Sequence, residues 1–573
     1  MPTDVWAPAK HGSRIATAPS IQSDRPSDAA RQLASRDDRS ADARESGCYR
    51  GLLFALLLTA GLEVVIAARA ATISVDGITF ISMADQLSQD PIATIRAADQ
   101  HPGYPAMILG ATRLVQAAGY VEEPQCWIIG ARLVSATCGI LSVLVVWLFG
   151  RGLFDVQIAN IAAIALAVLP MLRRNAADAM SDTPHMLFYL LAAWVACEAI
   201  LRGRALLFVA AGLLSGLAYW VRPEGLEIAL VTAVFIFVKC WWTRAGFRQF
   251  AVQLTALCLA TAAIVTPYLI LAGKVTSKQV PFAKQNPPEL FAMKQVRAAE
   301  ANQPAAAAGV MASCKVFFKL LGGALNEFAK GIAQGFRFAF LPFYLLSFVA
   351  YFSCQPRWWA VLLVGSFGVL HILVLIGVYF VSGYIDQRHV IPLVALAAPF
   401  AGLGLVYAAK KLHQWVPVVG SPRAIAAVLL LVCCLLVLGK TLSPMNAEFR
   451  PVLEASQWVT AHARPGEAIV TNSPYVQFFT RMPTVVLTPA APNLGAVLAQ
   501  APGGTCAYAV LHVNAHDYQP SWLEQLERRF DPVVELSDPR PGHDAARVVI
   551  FAAKTSAKAD HGNLNGAAKA ALR

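Results

Sequence analysis

Charge is scarce in this chain: Asp, Glu, Lys and Arg make up 14% of its 573 residues, against 57% hydrophobic ones. A soluble domain carries about a quarter charged residues, so this balance excludes one and requires a chain that crosses a membrane many times. Disulfide and zinc frameworks are missing as well. The eleven cysteines form no CxxC pair, and Cys138, Cys197, Cys258, Cys433 and Cys434 lie inside apolar runs, where they read as small core residues. No glycine-rich phosphate loop is present, because GAVLAQAPGG at 495–504 lacks the spacing of one. Nor does a basic cluster with interleaved aromatics accompany the net charge of +12. The basic residues are scattered between apolar runs, which is a topology signal, and no nucleic-acid partner is expected.

What is present is a succession of apolar segments of about 20 residues, the length that crosses the hydrocarbon core. They fall at 51–70, 127–150, 156–172, 183–201, 205–221, 225–242, 250–272, 332–353, 358–381, 389–408 and 424–441. The fold class expected is a polytopic α-helical membrane protein with about eleven transmembrane helices, spanning 51–443, and a small C-terminal extracytoplasmic α/β domain over 444–555. In that last region amphipathic stretches such as FRPVLEASQWVTAHA alternate with short apolar runs such as TVVLTP and ARVVIFAA, the pattern of helices between strands. Residues 1–50, rich in Ser, Ala, Asp and Arg, bury too little apolar surface to fold and are expected to be a disordered cytoplasmic tail. Residues 556–573 read as a second disordered tail. No convincing cleavage site follows the first apolar run, so it stays as a span. Arg36, Arg39, Arg44 and Arg50 precede it, which places the N-terminus in the cytoplasm and, with an odd number of spans, the C-terminus outside.

The most informative stretch is 71–105, ATISVDGITFISMADQLSQDPIATIRAADQHPGYP. Asp76 sits at the exit of the first span, where an ionisable group is costly unless it is solvated, paired or used. It is either a solvated cap of the following helix or a working carboxylate. Ile78, Ile81, Ala84 and Leu87 recur at helical spacing, which predicts a short helix in the membrane interface. The HPGYP turn then stops that helix and returns His101 and Tyr104 to the membrane surface. Loop 71–126 is therefore expected to carry the active site.

Three further stretches hold unusual residues near span ends. LRRNAADAMSDTPH puts Asp182 just before the fourth span, GLAYWVRPEG sets Arg222 and Glu224 between two apolar runs, and GYIDQRHVIPL puts Arg388 and His389 ahead of a late span. A carboxylate suits a general base. Arginine suits a phosphate ligand, because it stays charged and its planar fork matches phosphate oxygens. The plain alternatives are a snorkelling Arg222 paired with Glu224, an Arg388 paired with Asp386, and Asp182 as a helix cap. The basic loop 273–331 offers lysines that could approach lipid phosphates. His185 and His371, inside apolar runs, read as satisfied core histidines. No cofactor is expected, and no metal site is supported: one would need several carboxylates or histidines to converge, as Asp76 and Asp182 could across loops.

An Asp at the end of the first span, an amphipathic helix and an HPPxYP-like turn resemble the first extracytoplasmic loop of the GT-C glycosyltransferases. That superfamily includes protein O-mannosyltransferases and the lipid A aminoarabinose transferase. The RPEG turn and the IDQRHVIP stretch resemble further GT-C motifs, the latter with His389 where the family's Arg-Tyr-x-x-Pro signature has tyrosine. The best-known members carry Asp-Glu where this chain has Asp76-Gly77. The resemblance implies an integral enzyme of a bacterial inner or plasma membrane that moves a sugar from a polyprenyl-phosphate donor to an extracytoplasmic acceptor. Asp76 would be its general base, and His101, Tyr104, Asp182, Arg222, Glu224, Arg388 and His389 would line the substrate site. Its partners would be the lipid-linked sugar, the acceptor and membrane lipids. The alternative is a transporter or flippase of an anionic lipid-linked substrate.

Overall fold

Long apolar runs in a medium without water must close all their backbone hydrogen bonds internally, so each becomes a helix. The computed structural model describes residues 28–244, 246–276, 306–352, 358–487, 497–498, 506–513, 518–537 and 547–554. The first half is α1 (Asp28–Arg69), α2 (Val75–Gln89), α3 (Pro91–Ala97), α4 (Gly103–Ala117), α5 (Gln125–Leu153), α6 (Val156–Val168), α7 (Pro170–Ala177), α8 (Asp182–Arg202) and α9 (Ala205–Val221). Then come α10 (Leu226–Thr243), α11 (Phe247–Ala272), α12 (Ala306–Gly335), α13 (Leu341–Tyr351), α14 (Trp358–Ser382), α15 (Ile391–Trp415) and α16 (Pro422–Thr441).

Among the described residues eight helices are long and apolar enough to cross a membrane, or nine if the bent pair α6–α7 is one span. Every one of the eleven expected segments is largely helical over its described residues, but three differ from a simple crossing. The expected span 205–221 is the shorter α9, and the expected span 332–353 is broken at 336–340, between α12 and α13. The α6–α7 pair bends by 59° because Leu169, preceding Pro170, is held in an extended conformation (φ −64°, ψ 121°) that a helix interior does not allow. The N-terminal expectation also changes. α1 begins at Asp28, so residues 28–50 of the expected tail are helical. The tails 1–27 and 556–573, and Lys278, Lys284, Lys294 and Arg297 of the basic loop, lie outside the described residues.

The spans α8 and α15 are enclosed on most sides, whereas α11, α14 and α16 turn most of their surface outward, as lipid-facing helices do. The interfacial helix α2 buries Ile78, Phe80, Ile81, Met83, Ala84 and Leu87 and exposes Ser82 and Ser88, the split that its spacing predicts.

Beyond α16 the chain forms the expected α/β domain, with α17 (Arg450–His462), β1 (Ala468–Thr471), α18 (Pro474–Thr480), β2 (Thr484–Val486), β3 (Cys506–His512), α19 (Pro520–Glu527), β4 (Phe530–Ser537) and β5 (Arg547–Ala553). The sheet order is β2-β1-β3-β5-β4. β1 runs parallel to β2 and β3, and β5 pairs antiparallel with β3 and β4. Val470, Ala509, Leu511, Trp522 and Phe551 fill one core against this sheet. Pro532, which has no N–H to give the ladder, lies in edge strand β4 beside a register shift, where a proline costs least.

This domain is fastened to the loop that carries Asp76. The Tyr475 hydroxyl donates to the Ile73 carbonyl at 3.0 Å. Asn446 Nδ2 donates to the Thr72 carbonyl at 3.0 Å. Arg481 pairs with Asp85 on α2 at 3.4 Å and with Glu123 at 3.2 Å.

Candidate active site

Asp76 lies in the first turn of α2, whose N-cap is Ser74. The Ser74 Oγ accepts from the Gly77 N–H at 3.2 Å, and the Ser74 N–H donates to Asp178 Oδ1 at 3.1 Å. Asp178 is buried and also accepts from the Ala179 N–H and from Asn446. Burial pushes its carboxyl above the usual carboxylate range, against the three hydrogen bonds that lower it. Two turns of chain far apart in sequence thus hold the start of α2. Gly77 explains the departure from Asp-Glu, since a Cβ there would come within 2.9 Å of the Ala179 Cβ and 3.1 Å of its carbonyl. A glutamate could not enter without moving that segment.

Arg222 is the C-cap of α9, extended (φ −152°, ψ 143°) because Pro223 follows it. This ends the helix and sends the guanidinium to Asp182 Oδ1 at 2.8 Å. Asp182 is buried in the first turn of α8. Arg388 belongs to a short 3-10 turn, Gln387–Val390, capped by Asp386. Asp386 accepts from both the Arg388 backbone N–H and its Nε, each at 3.0 Å. Burial pushes the Asp386 carboxyl up, but the adjacent guanidinium and its hydrogen bonds outweigh it and hold the group below the usual range. The Nη1 of Arg388 then donates to Asp76 Oδ2 at 2.5 Å.

Asp76, Arg222, Glu224, Arg388 and His389 all line one cavity of about 1640 Å³. Asp99 and Glu227 line it as well, so four carboxylates face it beside the two guanidiniums. Its remaining wall is apolar, built by residues such as Leu230 of α10, Val265 of α11 and Val374 of α14. A second cavity of about 580 Å³ lies between α2 and α18, lined by Ser82, Asp85, Gln86, Gln477 and Arg481, and it shares Thr79 and Asp99 with the first.

The two residues of the HPGYP turn are placed elsewhere. Tyr104 is fully buried; its hydroxyl meets Ser135 Oγ at 2.9 Å, its ring meets Phe80 edge-on, and burial pushes its phenol well up. His101 stacks on Tyr268 at 4.9 Å and contacts Thr276 Oγ1 at 3.3 Å. Gly103 lets the turn press against α9, because a Cβ there would lie 2.6 Å from the Trp220 carbonyl. Tyr104 and His101 thus pack the turn against its neighbours and lie outside the cavity lining. Lys274, the described lysine of the basic loop's first part, donates to the Ala98 carbonyl at 2.8 Å. Among the described residues no three His, Cys, Asp or Glu side chains converge to hold a metal ion.

Two buried ion pairs escape a reading by span ends. Glu63 of α1 binds Arg173 of α7, and Glu227 of α10 binds His371 of α14 at 2.8 Å. Glu63, Glu227 and His371 each stand alone in an apolar run, which was the available signal.

The comparisons with known proteins agree with this architecture. The profile of the dolichyl-phosphate-mannose-protein mannosyltransferase family matches residues 127–271. No curated protein sequence matches the chain. ArnT from Cupriavidus metallidurans in the apo state superposes with a TM-score of 0.56 at 14% identity, over 89% of this chain and 98% of that one. ArnT bound to undecaprenyl phosphate gives a TM-score of 0.54 at 14% identity, covering 88% and 97%. The oligosaccharyltransferase AglB from Archaeoglobus fulgidus, with an inhibitory peptide and a dolichol-phosphate, gives 0.53 at 13% identity, covering 88% and 74%. The fold is that of the GT-C glycosyltransferases. In fold it is similar to ArnT and AglB, and the stretch from α5 to α11 is the part that matches the mannosyltransferase family's profile.

Proposed function

We propose that this protein is a membrane glycosyltransferase that moves a sugar from a polyprenyl phosphate to an acceptor hydroxyl on the extracytoplasmic face, with Asp76 as general base. One observation carries the reading: a single cavity is lined by two guanidiniums, by carboxylates that include Asp76, and by many apolar side chains of α10, α11 and α14. Such a lining suits an amphiphile with an anionic head. ArnT has been solved with undecaprenyl phosphate and AglB with a dolichol-phosphate, ligands of that class.

The chemistry follows from the pairs. Arg388 spends Nε on Asp386 and Nη1 on Asp76, which leaves Nη2 for a phosphate oxygen. Arg222 can turn from Asp182 in the same way, and both would take up charge as the phosphate departs. Phosphate binding to Arg388 loosens its grip on Asp76. The freed carboxylate takes the proton of the acceptor hydroxyl as its oxygen attacks the anomeric carbon, and the bond to phosphate breaks with its electron pair leaving on the phosphate. Direct displacement inverts the anomeric centre. The acceptor reaches Asp76 from the smaller cavity, because Thr79 lies one turn along the same helix.

The test is transfer by purified protein supplied with polyprenyl-phosphate sugars and candidate acceptors. Asp76→Asn is expected to lower kcat by roughly 10² to 10⁴, with donor affinity retained. Transfer at the wild-type rate by this variant would remove Asp76 from the reaction.

A further inference from the structure

His371 stands in the middle of α14, buried, with both ring nitrogens engaged. Nδ1 lies 2.8 Å from Glu227 Oε2 and Nε2 lies 2.9 Å from the His389 carbonyl. A carboxylate and a carbonyl can only accept, so a neutral imidazole, with one N–H, would leave one of the two contacts without a proton. Both contacts are met when Nε2–H donates to the carbonyl and a second proton lies between Nδ1 and Glu227. The same Glu227 oxygen accepts from the Tyr189 hydroxyl of α8 at 3.2 Å, so Tyr189 and His371 both hold it. The far end of this chain is the informative one. His389 belongs to the turn Gln387–Val390, and its immediate neighbour is Arg388, which holds Asp76. Three spans therefore converge on one carbonyl of the turn that presents the guanidinium.

We infer that His371, held by Glu227, is a positioning residue for Arg388 that fixes its turn so the guanidinium meets the donor phosphate. The inference rests on the proposed role of Arg388 as a phosphate ligand. Asp386 sets the guanidinium relative to its own turn, and His371 sets that turn relative to the membrane helices. Glu227 lines the cavity, whereas His371 lies outside its lining and acts through the turn. Their pairing replaces a tether that the 3-10 turn, with four residues, cannot supply from its own hydrogen bonds.

The experiment is a kinetic cycle on the purified full-length protein, with binding of sugar-free polyprenyl phosphate measured alongside. His371→Gln keeps at most one of the two contacts and is expected to raise donor KM about tenfold, with kcat within about twofold of wild type. Glu227→Gln should do the same, and Tyr189→Phe, the mildest change, about twofold to fivefold. In an Arg388→Ala background His371→Gln should have no further effect, because coupled residues do not add. A loss of general packing would add its effect there and would lower kcat as well. If Arg388→Ala leaves polyprenyl-phosphate affinity unchanged, the phosphate reading fails and takes this inference with it. If Arg388→Ala weakens binding while His371→Gln and Tyr189→Phe both bind as wild type, or if the effects add, this inference alone is overturned.

Discussion

Arg388 answers to two carboxylates at once, Asp386 on its own turn and Asp76 across 312 residues of sequence. The first of these is a local clamp whose pH behaviour can be worked out. Asp386 has a depressed pKa in the folded protein, so its contribution is fully present above the unfolded-state value of about 4 and is lost as pH falls through the still lower folded value. The clamp is therefore intact throughout pH 5 to 8. Donor binding should show no acid limb from this pair in that range, and Asp386→Asn should weaken donor affinity by a similar factor at every pH tested. A titration of donor affinity in both proteins checks this. At the residue scale the sequence was informative where a charge interrupts a span end: Asp76, Asp182, Arg222 and Arg388 were singled out as isolated residues, and the fold pairs them. Tyr104 and His101 were chosen by adjacency in a turn, and adjacency does not say which way a ring points. His371 was read as a satisfied core histidine, and it is satisfied. What the sequence lacks is any sign that its partner is a carboxylate from a helix 144 positions away.

At the scale of elements, α2 shows how a short helix is aimed. Its start is fixed by Ser74 within the chain and by Asp178 from outside it, and Gly77 lets it lie against Ala179. Gly77→Ala should therefore overpack the contact and destabilise the protein by about 1–3 kcal/mol, seen as a lower thermal midpoint in detergent. Ser74→Ala removes the N-cap and should cost about 1 kcal/mol, with a larger fall in kcat than in stability, because Asp76 rides on the first turn. Helix positions were legible from runs of apolar residues, since those runs leave the chain no other option in a membrane. The break at 336–340 was not, because residues such as Phe336, Phe338 and Phe340 are as apolar as the helices that flank them, and hydrophobicity alone does not mark where a helix ends.

Across the whole molecule, the C-terminal domain closes over the loop from residue 71 onward through Tyr475, Arg481 and Asn446. Composition separated this domain from the membrane part, but nothing in its own strands announced where it would dock. Arg481→Ala combined with Tyr475→Phe should leave the membrane helices folded and loosen this seam. Faster amide exchange in α2 and α18, with unchanged exchange in α8 and α15, is the expected result, and the smaller cavity between α2 and α18 should lose its shape with them.

The bond from Asn446 to the Thr72 carbonyl joins residues 374 apart. A ribosome adding roughly 5–20 residues per second needs about 20 to 75 s to make that stretch. The early loop that bears the acid is thus left waiting, partly assembled, until nearly the whole of the membrane part has been inserted behind it. Nascent chains halted before residue 446 should hold their first helices in place and yet present an unlatched loop, open to a protease added on the side of the membrane that the loop faces.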